Sequence, residues 1–195
     1  MTVNNGTKPV GILAIQGDFA MHAKMLARIG APWKLVKDPA TLREVSGLIL
    51  PGGESTTMLK FFASDGLGEA VRQFGASGKP VFGTCAGAIL LAKEVLSPPQ
   101  ERLGLLDVTI ERNAYGRQID SSVRQGDCPV LSNRSIEMVF IRAPIIRRVG
   151  EDVRVLAHSD GLPVLVEQRN LLAATFHPEL TEDETVHRYF LKKLG

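Results

Sequence analysis

Apolar residues in this chain come in short blocks, each stopped by glycine, proline or a charged residue. Residues 10–16 (VGILAIQ) form an apolar run that ends at Gly17 and has the length of a buried strand. Asp18 is placed to cap a helix on which Phe19, His22, Leu26 and Ile29 recur at helical spacing up to Gly30. Residues 33–37 predict a short strand and 39–44 a helical turn. Residues 47–50 (GLIL) predict a second buried strand, closed by Pro51-Gly52-Gly53. Helices are expected from about Ser55 and over about 67–76. Residues 79–84 (KPVFGT) predict a third apolar strand, running straight into Cys85 and an apolar helix over 86–95. Continuous apolar strands alternating with helices imply an α/β fold: a mostly parallel open sheet with helices on both faces.

After Pro98-Pro99 the pattern changes. Residues 107–112, 136–142, 153–158, 163–167 and 171–176 read as short strands, and Asp160-Gly161 is a strong hairpin signal between two of them. The sheet is therefore expected to gain an antiparallel extension. Thr181 with Glu184 has capping-box spacing and predicts a final helix to about Leu194. No internal repeat, low-complexity tract or long linker divides the chain. Its 195 residues suit one domain, at about 150 residues per domain.

Composition narrows the partners. Lys+Arg 23 against Asp+Glu 21 leaves a net charge of +2, without the clustered basic excess of a nucleic-acid surface or a polybasic membrane anchor. The longest apolar stretches are too short to span a bilayer, and the polar first nine residues lack a signal-peptide core. Two cysteines, Cys85 and Cys128, make no disulfide scaffold, so a reducing, cytoplasmic setting is expected. Asn5-Gly6-Thr7 and Asn133-Arg134-Ser135 match the glycosylation pattern but carry no weight without secretion.

The sharpest chemical feature is Gly83-Thr84-Cys85-Ala86-Gly87, a cysteine version of the nucleophile elbow. It follows a buried strand and precedes a helix, at the sheet edge where open α/β folds place their sites. The helix aims its first N–H groups at the sulfur, which favours a thiolate nucleophile. The bland alternative is a buried cysteine whose glycines serve packing. A nucleophile needs a base and the base an orienter. Of four histidines, His22 reads as packed on the first helix, His158 as structural beside a turn, and His187 as solvated. His177 ends an apolar strand and is followed by Pro178-Glu179. In an extended segment i and i+2 share a side, so Glu179 can hold the imidazole tautomer and its charge. Alone, this is also what a plain strand-end turn looks like. The third feature is Pro51-Gly52-Gly53-Glu54-Ser55. Its glycines permit close backbone approach, and their N–H groups, here Gly53 with Ala86, could form an oxyanion hole. The same stretch also suits a turn with Ser55 or Thr56 capping a helix. It is no P-loop, and Gly66-Leu67-Gly68 is no dinucleotide fingerprint. No metal or cofactor is called for.

Pro-Gly-Gly, Gly-x-Cys-x-Gly and His-Pro-Glu in this order resemble the triad-type (class I) glutamine amidotransferases. The segments LPGGESTTM (50–58), FGTCAG (82–87), ERNAYGRQ (111–118), FIRAP (140–144) and FHPELTED (176–183) resemble, within that class, the glutaminase subunits of pyridoxal 5′-phosphate synthase. The resemblance runs from about Val10 to the last helix. It implies one amidotransferase domain over 1–195 with a flavodoxin-like arrangement. It further implies hydrolysis of L-glutamine to glutamate and ammonia through a glutamyl thioester. Cys85 would be the nucleophile, His177 base and then acid, and Glu179 the orienter. Gly52, Gly53, Glu54, Arg112, Ile141 and Arg142 would contact glutamine; a guanidinium fork suits its α-carboxylate. The implied partner is a barrel-shaped synthase subunit that consumes the ammonia, and Gln16-Gly17 matches a segment facing site and partner. The family further implies weak activity until the partner docks, for which a peptide flip at Gly52-Gly53 is one physical account. Met21 departs from the glutamate that related sequences often carry. Cys128 matches no motif, and Arg147-Arg148 reads as solvated. The competing expectations are the same chemistry serving another synthase, such as that for imidazole glycerol phosphate, a hydrolase acting on longer substrates, a catalytically silent subunit, and a redox role for the elbow cysteine.

Overall fold

The structure is a computed structural model that describes residues 8–64, 66–112 and 121–195. Most of the ERNAYGRQ motif and Asn5-Gly6-Thr7 lie outside the described residues. In chain order the first elements are β1 (Val10–Leu13), α1 (Phe19–Ile29), β2 (Trp33–Val36), α2 (Pro39–Leu42), β3 (Gly47–Leu50), α3 (Ser55–Ser64), α4 (Leu67–Ala76), β4 (Val81–Thr84) and α5 (Ala86–Leu91). There follow β5 (Ala92–Leu96), β6 (Leu106–Glu111), β7 (Ser121–Gly126), β8 (Ile136–Ile141), β9 (Ile145–Val149), β10 (Arg154–Ser159), β11 (Leu162–Gln168), β12 (Leu171–Ala174) and α6 (Thr185–Leu191).

The main sheet has seven strands in the order β10-β11-β12-β4-β3-β1-β2. From β2 to β12 all neighbours run parallel, and β11 and β10 add the expected antiparallel edge. Successive side chains on a strand face opposite ways, and the core divides accordingly. In β3, Leu48 and Leu50 join one apolar cluster with Met58, Val71 and Leu90 of α3, α4 and α5. Ile49 joins another with Leu26 of α1 and Phe190 of α6. The hairpin at Asp160-Gly161 has both residues at positive φ, 49° and 74°, as a type I′ turn requires.

Three local expectations are corrected. The apolar helix ends at Leu91, and residues 92–96 form β5, which pairs with β6 in a separate three-stranded sheet completed by β9 on the other side of β6. Thr181 does not cap the last helix. Its hydroxyl donates to Pro178 O at 3.1 Å and accepts from Asp183 N at 3.0 Å, while Asp183 accepts from Thr185 N at 2.9 Å, so α6 starts at Thr185. Asp18 makes no side-chain cap to α1. The strands β7 and β9 went unpredicted.

Parallel packing has one consequence for chemistry. The carboxyl ends of the neighbours β12, β4, β3 and β1 deliver His177, Cys85, Gly52-Gly53 and Gln16-Gly17 to one edge. This is where an open α/β sheet places a site.

Candidate active site

Cys85 stands between β4 and α5 with φ 46° and ψ −101°, a strained backbone for a residue with a Cβ. Its amide donates to Ala174 O at 2.8 Å, which ties the elbow to β12. The flanking glycines are needed for close approach. A Cβ on Gly87 would lie 2.0 Å from Leu50 O, and one on Gly83 would lie 2.6 Å from the Gly87 carbonyl. Helix α5 therefore crosses its own strand closely and holds the sulfur at the sheet edge.

His177 follows β12, and its amide donates to Val139 O at 2.8 Å. Glu179 reaches the ring, although not through an extended segment. Pro178–Leu180 is a 3₁₀ turn, with His177 as its N-cap residue. Nδ1–H of His177 donates to Glu179 Oε1 at 2.8 Å, which leaves Nε2 for Cys85. Both side chains are buried, at 3% and 2% exposure. Burial alone would lower the pKa of His177, but its hydrogen bonds to Cys85 and Glu179 outweigh this and raise it to about 10. Burial would raise Glu179, yet the neighbouring His22 and His177 win and hold it low, at about 2. The pair is therefore built to carry an imidazolium against a carboxylate. Asp18, expected as a cap, places Oδ2 3.8 Å from the same Nδ1. Among the described residues Asp18, His177 and Glu179 are also the one cluster with metal-ligand spacing. That cluster is the His–Glu pair and its neighbour, with Nδ1 already committed to Glu179.

Gly52 packs on the base itself: a Cβ there would lie 2.3 Å from His177 Cε1. Gly53 has φ 146°, and a Cβ on it would lie 2.5 Å from Gln16 Oε1. The β1 loop clasps this turn from the other side. Asp18 N donates to Gly52 O at 3.0 Å and Glu54 N donates to Gln16 Oε1 at 2.9 Å. Because the peptide is planar, fixing the Gly52 carbonyl toward Asp18 turns the Gly53 N–H away from it.

One cleft collects Cys85, Gly53, Glu54, Arg112, Ile141 and Arg142. Of the expected glutamine contacts only Gly52 is absent from its walls, because it sits beneath, against His177. Arg112 Nη2 lies 3.5 Å from Glu54 Oε1, and Arg142 holds a left-handed φ of 45° as it turns into the cleft. Ile89 and Pro144 also line the cleft and were not expected. Ala86 is buried beside the elbow.

The histidines need two corrections. His187 is not solvated but fully buried, and His22 is more than packed. Nδ1 of His22 meets Nε2 of His187 at 3.0 Å, and Nε2 of His22 lies 3.2 Å from Thr84 Oγ1. The spacing of Val186, His187 and Phe190 along α6 carried the signal of a buried face. Cys128 is a packing residue as expected, and Arg147 and Arg148 are exposed and paired with Glu111 and Asp107.

A cysteine elbow beside a buried His–Glu pair, opening into a cleft with two arginines, is an arrangement that can serve acyl transfer from a small amino acid. Residues 12–195 match the SNO glutamine amidotransferase family. The chain belongs to the SNO glutamine amidotransferase family. The pyridoxal 5′-phosphate synthase subunit PdxT of Solibacter usitatus is 55% identical over 192 residues, covering 96% of this chain and 100% of that protein. The subunit of the same name from Koribacter versatilis is 54% identical over 183 residues, covering 94% of each. A crystal structure of a glutamine amidotransferase superposes with a TM-score of 0.90 at 49% identity, over 95% of this chain and 98% of that one. No helix among the described residues is long and apolar enough to cross a membrane.

Proposed function

We propose that this amidotransferase hydrolyses L-glutamine with Cys85 as nucleophile, His177 as acid and base and Glu179 as orienter. The ammonia serves pyridoxal 5′-phosphate synthesis on a partner subunit. The observation that carries the reading is that Cys85, backed by the His177–Glu179 pair, opens into the same cleft as Arg112 and Arg142. The guanidinium groups suit the α-carboxylate of glutamine, and Glu54 suits its α-ammonium. This orients the side-chain amide toward sulfur.

The Cys85 thiolate attacks the amide carbon, and the oxyanion is held by the N–H groups of Gly53 and Ala86. His177, charged through its hydrogen bonds, gives its Nε2 proton to the departing nitrogen. The C–N bond breaks, ammonia leaves and a γ-glutamyl thioester remains. Water then attacks the thioester while His177 takes its proton. Glutamate leaves, and the thiolate–imidazolium pair is restored. Glu179 keeps Nδ1–H turned inward throughout, so Nε2 always faces the reaction.

Ammonia is nucleophilic only unprotonated, and at neutral pH water converts most of it to ammonium. A partner that docks over the cleft and consumes ammonia answers this. The relatives are named as subunits of pyridoxal 5′-phosphate synthase, which supports a barrel-shaped subunit of that enzyme as the partner over the imidazole glycerol phosphate enzyme. The test is ammonia release from glutamine with and without that subunit, with Cys85→Ala as control. Release that rises with the subunit and disappears in the variant supports the reading. Release indifferent to the subunit removes the partner, and release that survives Cys85→Ala removes the triad.

A further inference from the structure

Behind the triad lies a row of polar groups that the mechanism above does not use. His22 on α1 and His187 on α6 are completely buried and touch through Nδ1 and Nε2 at 3.0 Å. Nε2 of His22 lies 3.2 Å from Thr84 Oγ1 and 3.5 Å from Glu179 Oε1. The Thr84 hydroxyl donates to that same oxygen at 3.4 Å. The chemistry of the row fixes its direction. A carboxylate only accepts, so Thr84 gives its one hydroxyl proton to Glu179, and His22 then presents Nε2–H toward the Thr84 oxygen. Nδ1 of His22 is then a lone pair, so His187 donates Nε2–H to it. Nδ1 of His187 is left as a bare acceptor, and it is a buried atom without a hydrogen-bond partner among the described residues. The row therefore starts at His187 and ends at the catalytic carboxylate. Glu179 Oε2 is buried and likewise without a partner, so Oε1 receives both His177 and Thr84, with Nε2 of His22 3.5 Å away.

We infer that His22 and His187 are positioning residues, a one-way relay of N–H donors that fixes the Glu179 carboxylate and, through it, the tautomer and basicity of His177. The inference rests on the triad proposed above. Burial lowers the pKa of both histidines, that of His187 to about 3, so near pH 7 their part at Glu179 is to place N–H donors. The groups that face them are Glu179 and His177 from the 3₁₀ turn, Asp18 from the β1 loop and Arg28 from α1. A purely steric role would need only rings that fill space against Phe82, whose centroid lies 5.7 Å from that of His187 and 6.3 Å from that of His22.

The test contrasts His187→Phe, which keeps a ring and loses the donor, with His187→Gln, whose amide nitrogen takes the place of Nε2–H. Ammonia release is followed at saturating glutamine with the synthase subunit present. His187→Phe should lower kcat about 10-fold with KM nearly unchanged, the scale of one hydrogen bond relayed to a charged group. The active pH range should narrow from both sides, because a less firmly held carboxylate protonates sooner and supports the imidazolium less. His187→Gln should recover most of both. His22→Leu, which removes the donor nearest Glu179, should cost about 10- to 100-fold. Equal behaviour of the Phe and Gln variants, with unmoved pH limbs, overturns the relay even where His22→Leu does not fold. Independently of catalysis, imidazole ¹⁵N NMR of the wild-type chain should find His22 and His187 as neutral Nε2–H tautomers at pH 8, with His187 still neutral at pH 5. A Nδ1–H tautomer, or titration near 6.5, contradicts the relay and leaves the triad standing. Loss of the triad reading appears instead as ammonia release that survives Cys85→Ala.

Discussion

Cys85 and Cys128 are both buried, at 8% and 1% exposure, and their surroundings diverge from there. Cys128 lies between β7 and β8 in an apolar cluster with Ile136, Met138 and Leu156. Its Sγ donates to Leu156 O at 3.2 Å, and burial pushes its thiol pKa up, which keeps it protonated. Cys85 has a positive φ, a histidine partner and an open cleft. Burial is common to both, so what separates the proposed nucleophile from a packing residue is backbone placement and partners. That contrast also explains the glycines. Those around Cys85 allow α5 to cross β4 and allow His177 to sit on Gly52, whereas near Cys128 the close approach at Gly126 is to the flexible end of the Met138 side chain.

The contrast breaks first at the sulfur atoms. Cys85→Ala should lower ammonia release by at least about 10³-fold, as expected for loss of a nucleophile. Cys128→Ala should leave kcat within about twofold and cost about 1–2 kcal/mol of stability, read from thermal unfolding. A comparable loss of activity in both variants would erase the distinction. Gly52→Ala comes next. Its Cβ would lie 2.3 Å from His177 Cε1, so the ring must move, and kcat should fall about 100-fold with the fold intact. Arg112→Ala should act on binding instead, raising KM for glutamine about 10-fold while kcat changes less.

The smallest effect is on stability against pH. His187 has its folded pKa lowered, to about 3 from 6.5, so between these values the unfolded chain binds the extra proton. Stability should therefore fall as pH drops below 6.5. His177 has its folded pKa raised to about 10, so its contribution is complete below 6.5 and is lost as pH rises through 10. The midpoint of thermal unfolding should peak near pH 6.5 and decline on both sides. Cys85→Ala removes a cause of the His177 shift and should flatten the alkaline side, whereas Cys128→Ala should leave the profile unchanged.

Much of the site was legible because its chemistry is local in sequence. The elbow is five consecutive residues, and Glu179 is two residues from His177, so short motifs carried the candidate triad without any knowledge of the sheet. The parallel strands were equally plain, since GLIL and VFGT are apolar throughout. What failed depended on distant partners. Residues 86–96 are apolar but for Lys93 and Glu94, and only pairing with β6 decides that the second half is a strand. SSVRQG of β7 has little strand propensity and is held by β8. His22 and His187 are 165 residues apart, so their contact is invisible to any local pattern. The Thr181–Glu184 spacing misled because the Thr181 hydroxyl bonds within the preceding turn.

The central claim is that Cys85 is the reactive sulfur of a glutamine pocket. Its most direct test is mass spectrometry of the chain after exposure to an electrophilic glutamine analogue, with and without excess glutamine. The account predicts one adduct per chain, on Cys85, slowed by glutamine, with Cys128 unmodified. An adduct on Cys128, or labelling of Cys85 that glutamine does not slow, would contradict it.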